Sequence, residues 1–421
     1  MTIPEAPKQD AGKVLLQELN TPSNRKGGRK RINQSLLIPL LAVFTGLIVG
    51  AIFIILTTED VYAAFGRNFF EGIGVALQTV GRAYGALFIG AFGDPGRIIS
   101  AIASGDGKVI AGAFNPLLES LVATTPYIFG GLALALGFRS GVFNIGAEGQ
   151  IFVGALTGTF AGYAIQGLPA VIHIPLAMLA GAAGGALWGF IPGWLKAKTG
   201  GHEVINTIMM NYVAFRLSEW LLTGPMMGPQ KIPVSPPIEK TAWLPQFFGS
   251  RFHLGFFIAL GIAYLVYWFL FKTTWGFNLR TVGANPNAGR YAGMNTTWGI
   301  ILAMTLSGAL AGLAGATEVL GVNHNLAMAF SSGYGFDSIA LALLGNNTPG
   351  GVVLASLLFG FLRNGATQMQ VSTNIPNDII SILQAVILMF IAAPAIIRTI
   401  FRLRAPTEGD GGINIRGWGG S

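Results

Sequence analysis

No cysteine occurs in the chain, so disulfide bonds and thiolate chemistry are both out of reach. Charge is scarce as well: 10% of residues are Asp, Glu, Lys or Arg, against about 25% in an ordinary soluble domain. The phosphate-cradling pattern G-x-x-x-x-G-K-[ST] is missing. Its nearest approaches, Gly12–Lys13 and Gly107–Lys108, are each followed by valine, so any ATP hydrolysis, with its Mg, belongs to another polypeptide. His173, His202, His253 and His324 show no metal-ligand spacing. His202 and Glu203 are adjacent rather than four apart, which suits a helix-start carboxylate better than a metal pair. No spacing suggests a Ser/His/Asp arrangement.

What is present is apolar. Hydrophobic residues make up 52% of the 421, mean hydropathy is +0.58, and apolar runs of helix-spanning length recur. These features predict an all-α polytopic integral membrane protein. The 60 glycines, about twice the usual share, suit closely packed transmembrane helices. A net charge of +8 would allow nucleic-acid binding. The excess, however, lies in the two tails and one loop, a pattern that orients a membrane protein and excludes nucleic acid as a partner.

Residues 1–35 form a polar tail ending in NRKGGRKR, expected to be cytoplasmic, before a first uncleaved span at 36–56. Segment 57–115 mixes short apolar pieces with Arg67, Arg82, Asp94, Arg97, Asp106 and Lys108. None of its apolar runs is long enough to cross, which predicts an extracytoplasmic segment with an interfacial helix. Further spans are expected at 116–138, 148–165, 172–195, 203–222, 254–271 and 297–320. A short apolar piece ending at 344, then 352–362 and 379–397, bring the total to about ten, some of them broken. The Pro-rich loop 223–252 is expected outside and the tail 401–421 inside. Gly154, Gly158 and Gly162, then Gly181, Gly185, Gly189 and Gly193, recur at four-residue steps, as do Ser307, Ala311 and Gly315. They form smooth stripes for helix packing, between subunits or within one.

The stretch 138–150, FRSGVFNIGAEGQ, interrupts this pattern. Asn144, Glu148 and Gln150 stand among three glycines between two apolar runs. A carboxylate at that depth costs roughly 2.5–3.5 kcal/mol on insertion scales, so it faces the bundle interior or water. Glu148 either lines a route or caps the start of the next helix. Asn206 and Asn211, inside the following GGHEVINTIMMNY, are further candidates for the route.

FNIGAEGQ resembles the signature of permease subunits of bacterial ABC importers for nucleosides and related sugars. They form the branch that works with basic membrane lipoproteins, within the ribose/branched-chain amino-acid permease group. The resemblance covers roughly 110–400 and extends to 272–295, KTTWGFNLRTVGANPNAGRYAGMN. From residue types alone, Asn285 is an N-cap, Pro286 a first helical residue and Gly293 a left-handed terminator, giving a helix of about two turns. The resemblance implies that this is the cytoplasmic loop that docks on the ATPase subunit. Gly276, Arg280, Val282, Gly283, Asn285, Pro286, Ala288, Tyr291, Ala292 and Gly293 fit its pattern. It also implies a second permease subunit, homologous or identical, an extracytoplasmic solute-binding protein, membrane lipid around the spans, and a location in the bacterial plasma membrane. No cofactor is expected in this chain.

On residue pattern alone, three functions compete: an importer subunit, a proton-coupled secondary transporter using Glu148, Glu203 or Glu318, and a membrane enzyme. The resemblance selects the first, with nucleosides or a related sugar-like solute as substrate and, for a nucleoside, Phe143, Phe152 and Tyr212 as aromatic faces for the base.

Overall fold

The computed structural model describes residues 28–328, 330–376 and 378–402. The basic stretch at 25–27 and nearly all of the 401–421 tail lie outside these residues. The helices in order are α1 (Gly28–Thr57), α2 (Glu59–Arg67), α3 (Phe69–Phe92), α4 (Pro95–Ser104), α5 (Gly107–Arg139), α6 (Ala147–Ala164), α7 (Ala170–Thr199), α8 (Glu203–Thr223) and α9 (Gly255–Lys272). They continue with α10 (Thr274–Ala284), α11 (Pro286–Tyr291), α12 (Thr296–Glu318), α13 (Tyr334–Leu344), α14 (Pro349–Thr373), α15 (Asp378–Ala392) and α16 (Pro394–Ile400). Among the described residues, seven helices are long and apolar enough to cross a membrane. Helices α6 and α8, of 18 and 21 residues, reach spanning length with more polar sequences.

One expectation fails in 57–115. Helix α3 is a single helix of 24 residues, about 36 Å long, and counts among the seven. Asn68 caps its start by accepting from the Phe70 N–H at 3.0 Å, and Gly93 ends it at φ 95°. A search for unbroken apolar runs misses it because Glu71, Gln78 and Arg82 recur at helical spacing on one exposed stripe. The opposite face packs on α14, where the Asn364 amide donates to the Gly90 carbonyl at 2.8 Å. Helix α5 likewise begins nine residues before the expected 116, with Pro116 inside it rather than at its start.

The bundle is centred on α5, α6, α7 and α12. The glycine stripes are spent inside the subunit: Gly154, Gly181 and Gly185 all meet Gly312, and Gly185 also meets Gly308. A Cβ at Gly193 would lie 2.7 Å from that of Met304. Small residues here let backbones touch. Two ends of the bundle are distinct. At one, Arg139, the start of α8 and helices α10 and α11 come together, and this is called the coupling end. At the other, the chain between α8 and α9 lies across the ends of α6 and α12. There Glu239 N–H donates to Gly162 O at 2.9 Å and Leu244 N–H to Leu320 O at 3.0 Å. This is the loop end. Helix α12 reaches it through a π-helical turn, Val319–Asn323.

Candidate functional site

Helix α5 stops at Arg139 because Ser140 and Gly141 turn the chain, Gly141 at φ 72°. The chain then runs back into the bundle. Asn144 donates to Ser307 Oγ at 2.9 Å, and Ser307 donates to the Ala133 carbonyl at 2.7 Å. Ala133 is six residues before the end of α5, so Asn144 lies about 9 Å inside it. Its amide also exchanges two hydrogen bonds with that of Gln150, at 2.8 and 3.1 Å, and accepts from the Gly146 N–H at 3.1 Å. Asn211, on α8, accepts from Gly149 N–H at 2.8 Å and donates to Ile145 O at 3.0 Å. Three expected route residues thus form one knot that holds the start of α6. Asn144, Gln150 and Asn211 are at most 2% exposed, and their amides are engaged with protein. Asn206 stands apart from them, half-buried one turn into α8.

Glu148, 2% exposed, does cap a helix, but not its own. It accepts from Ser331 Oγ at 2.6 Å and from Gly335 N–H at 2.5 Å, which are the donors at the start of α13. A carboxylate there satisfies orphan N–H groups and faces the positive end of the helix dipole. Helix α13 has 11 residues, about 16 Å, and ends at the coupling end. There Arg139 donates to the carbonyls of Asn347 at 3.0 Å and Asn346 at 3.2 Å. Two helix starts therefore meet inside the bundle, joined by one carboxylate. Glu203, another acid noted from the sequence, pairs with Lys196 at 2.5 Å.

Beside this junction lies a cluster that sequence reasoning missed. Tyr127 of α5 donates to Asp337 Oδ2 at 2.7 Å and accepts from Arg363 Nη1 at 2.5 Å. Arg363 also binds Asp337 at 3.6 Å and Ser332 Oγ, and its guanidinium sits 4.9 Å from the Tyr334 ring centre. Unlike the knot, this cluster is partly open, with the Arg363 and Asp337 side chains 30% and 34% exposed. A row of rings leads to it from the outside of the bundle. Tyr212 meets Phe215 at 6.2 Å, Phe215 meets Phe152 at 4.8 Å, and Phe152 meets Phe330 at 4.9 Å, next to Ser331. Phe143 packs instead on Phe138 at 5.1 Å.

The 272–295 segment holds two helices where one was expected. Helix α10 precedes the short α11, and Asn285 joins them by accepting from the Asn287 and Ala288 N–H groups at 3.0 Å. Gly293 has φ 78°. Arg280 is folded back, donating to Leu270 O at 2.8 Å and lying 4.9 Å over the Phe271 ring, so it completes the end of α9. Gly276 and Val282 are buried, and a Cβ at Gly276 would lie 2.6 Å from Leu270 Cα. Pro286, Ala288, Arg290, Tyr291 and Ala292 are exposed. Gly283 faces inward, where a Cβ would lie 2.5 Å from the Ser140 carbonyl carbon. The loop thus rests directly on the turn that ends α5.

Residues 116–392 match the family described as the permease component of branched-chain amino acid transport systems. The chain belongs to that family. The permease is 40% identical over 378 residues to the guanosine ABC transporter permease protein NupP of Bacillus subtilis, covering 88% of this chain and 97% of that one. It is 33% identical over 379 residues to the nucleoside ABC transporter permease protein NupB of Lactococcus lactis, covering 87% and 93%. The glucose ABC transporter permease protein TsgB13 of Haloferax volcanii is 37% identical over 287 residues, 65% of this chain and 75% of that one. No solved structure matches the chain.

Proposed function

We propose that the permease is the membrane-spanning subunit of an ATP-driven importer that carries nucleosides inward. The observation that carries this reading is the contact of Gly283 with Ser140 and Gly141. It joins the exposed surface 285–293 to the turn from which the knot, Glu148 and the α13 start all hang. A partner ATPase engaging Pro286, Ala288, Arg290 and Tyr291 would move that turn, and the site with it. The names of the two relatives matched over nearly their whole length favour nucleosides over sugars. The cluster fits such a solute: rings for a base, and Tyr, Ser, Asp and Arg groups that both donate and accept for a neutral partner.

In this reading the coupling end is cytoplasmic, the 224–254 chain faces a solute-binding protein outside, and a second permease subunit completes the route in the bacterial plasma membrane. Asn144, Gln150 and Asn211 brace the route, and Glu148 with the Arg363 cluster borders it. The test is uptake of labelled guanosine into proteoliposomes holding the permease with its ATPase and binding protein. Uptake should need ATP and ignore a proton gradient. Uptake driven by the gradient without ATP would overturn the proposal.

A further inference from the structure

Helix α13 is held at both ends by one short stretch of chain. At its start Glu148 accepts from Ser331 Oγ and Gly335 N–H. Past its last turn Arg139 donates through Nε to Asn347 O at 3.0 Å and through Nη2 to Asn346 O at 3.2 Å. The two clamps are nine residues apart in sequence, both in the break between α5 and α6. Each sign suits its end, since a carboxylate favours the positive start of a helix dipole and a cation its negative finish. Asn346 and Asn347 both adopt left-handed backbone, at φ 54° and 53°, which asparagine tolerates better than most residues. The tight turn they make presents both carbonyls to one guanidinium.

The side of α13 that meets α5 is smooth. A Cβ at Gly130 would lie 3.2 Å from Ser338 Cβ, and one at Gly131 would lie 3.4 Å from Leu341 Cβ. Bare backbone at those positions lets a packed helix slide by small amounts. Arg139 also reaches the 272–295 loop. Its guanidinium lies 5.7 Å from the Phe271 ring centre, and that of Arg280 lies 4.9 Å from the same ring. Main chain meets there too, since a Cβ at Gly283 would lie 2.6 Å from the Arg139 carbonyl oxygen. Among the described residues, neither arginine forms an ion pair with a carboxylate. Carbonyls and a ring hold a guanidinium less tightly than a carboxylate does, so the grip can slip and re-form as the parts move.

We propose that Arg139 is a positioning residue for transport, passing motion of the 272–295 loop to α13, which carries it as a rod to the Arg363 cluster. The inference rests on the ATP-driven reading above. The far end of the rod holds Tyr334 and Asp337, and Asp337 is bonded to Tyr127 and Arg363. A shift of α13 along its axis therefore re-spaces the groups of the cluster. Arg139 acts on the solute through α13, without touching it.

The test uses the complete complex in proteoliposomes. Arg139→Gln should lower the nucleoside carried per ATP hydrolysed roughly tenfold, the size expected for loss of charged hydrogen bonds. KM for the nucleoside and the ATPase rate should change little. A merely structural role would lower uptake and ATPase rate together, as folded complex is lost. Arg139→Lys, which keeps the charge but not the fork, should recover part of the ratio. An unchanged ratio in folded Arg139→Gln, or equal losses of uptake and ATPase rate, overturns the proposal. Should Arg139→Gln not assemble, Phe271→Leu takes its place, because it leaves Arg139 its carbonyls and breaks the ring link. It should lower the ratio about threefold, as loss of a cation–π contact would, and an unchanged ratio overturns the proposal.

A chain without cysteine also allows the rod itself to be watched. Leu343→Cys, at an exposed position near the end of α13, carries an environment-sensitive fluorophore. ATP should change its emission in the otherwise unaltered chain, and Arg139→Gln should abolish that change. ATP-driven uptake with no change in emission at 343 overturns the α13 link and leaves the importer reading intact. A change in emission with ATP but no nucleoside uptake would sink the importer reading and leave the link standing.

Discussion

The knot around Asn144 and the cluster around Arg363 are neighbours built from similar polar groups, yet they are finished differently. In the knot, the Asn144, Gln150, Ser307 and Asn211 side chains are buried and find protein partners. In the cluster, Arg363 and Asp337 keep about a third of their side-chain surface open. A sealed network fixes a backbone shape, because losing one member leaves others buried and unpaired. An open one keeps bonding capacity for something that arrives. Polarity at depth therefore has two uses here, and exposure separates them.

The comparison breaks most visibly at Glu148, which serves both sides. Glu148→Leu removes the acceptor for Ser331 and Gly335 N–H and should cost about 3 kcal/mol or more. The expected readout is a large fall in melting temperature in detergent, with Glu148→Gln intermediate. If Glu148→Leu melts with the wild type, the carboxylate is no cap.

Asn211→Leu probes the sealed side alone. It strands the Gly149 N–H and the Ile145 carbonyl, a loss of about 1–3 kcal/mol. Melting temperature should drop, and uptake should fall only as far as folded protein is lost. Normal stability with abolished uptake would reverse the assignment and put Asn211 on the route.

For the open side, Arg363→Gln should lower uptake about tenfold or more, while stability changes by less than about 1 kcal/mol because the site is already solvated. A variant that fails to fold would make the cluster structural after all. The nonconservative Arg363→Met serves as a cross-check on the direction.

A further effect, confined to acid pH, concerns the loop end. Burial pushes the ring of His253 down to about 4, with His324 nearby adding to the effect. The folded ring stays neutral where an unfolded one, near 6.5, takes up a proton. Between those values the unfolded chain binds more protons, so stability is full above about pH 6.5 and falls as pH drops toward about 4. His253→Gln should flatten the melting-temperature profile in that window. A profile equally steep without His253 would assign the effect elsewhere.

Much of this was legible in the residues, for physical reasons. Unbroken apolar runs located α7, α9 and α12, since span length is set by the bilayer. The Gly and amide groups at 144–150 announced a break because such residues have no other use there. The start of α11 followed from Asn285 and Pro286 and appears as expected. Helix α3 was lost to run-length reading, since its polar groups lie on one stripe. The Arg363 cluster was lost for a different reason: residues 127, 337 and 363 are brought together only by packing. The apolar run 352–362 stops one residue short of the charge, although helix Pro349–Thr373 is continuous. An arginine placed inside a 25-residue helix was the available signal.

The backbone contact of α7 with α12 has a consequence for how this chain tolerates mutation. At Gly185, Gly308 and Gly312 the neighbouring main chain occupies the space a side chain would need. Glycine is the smallest residue, so every amino-acid replacement adds at least one carbon, and no first step is gentle. Variation at Leu179 or Leu187, exposed on the same helix, carries no such toll. The two faces of α7 thus accept change on opposite terms. A random substitution library should recover almost none of the first kind and many of the second.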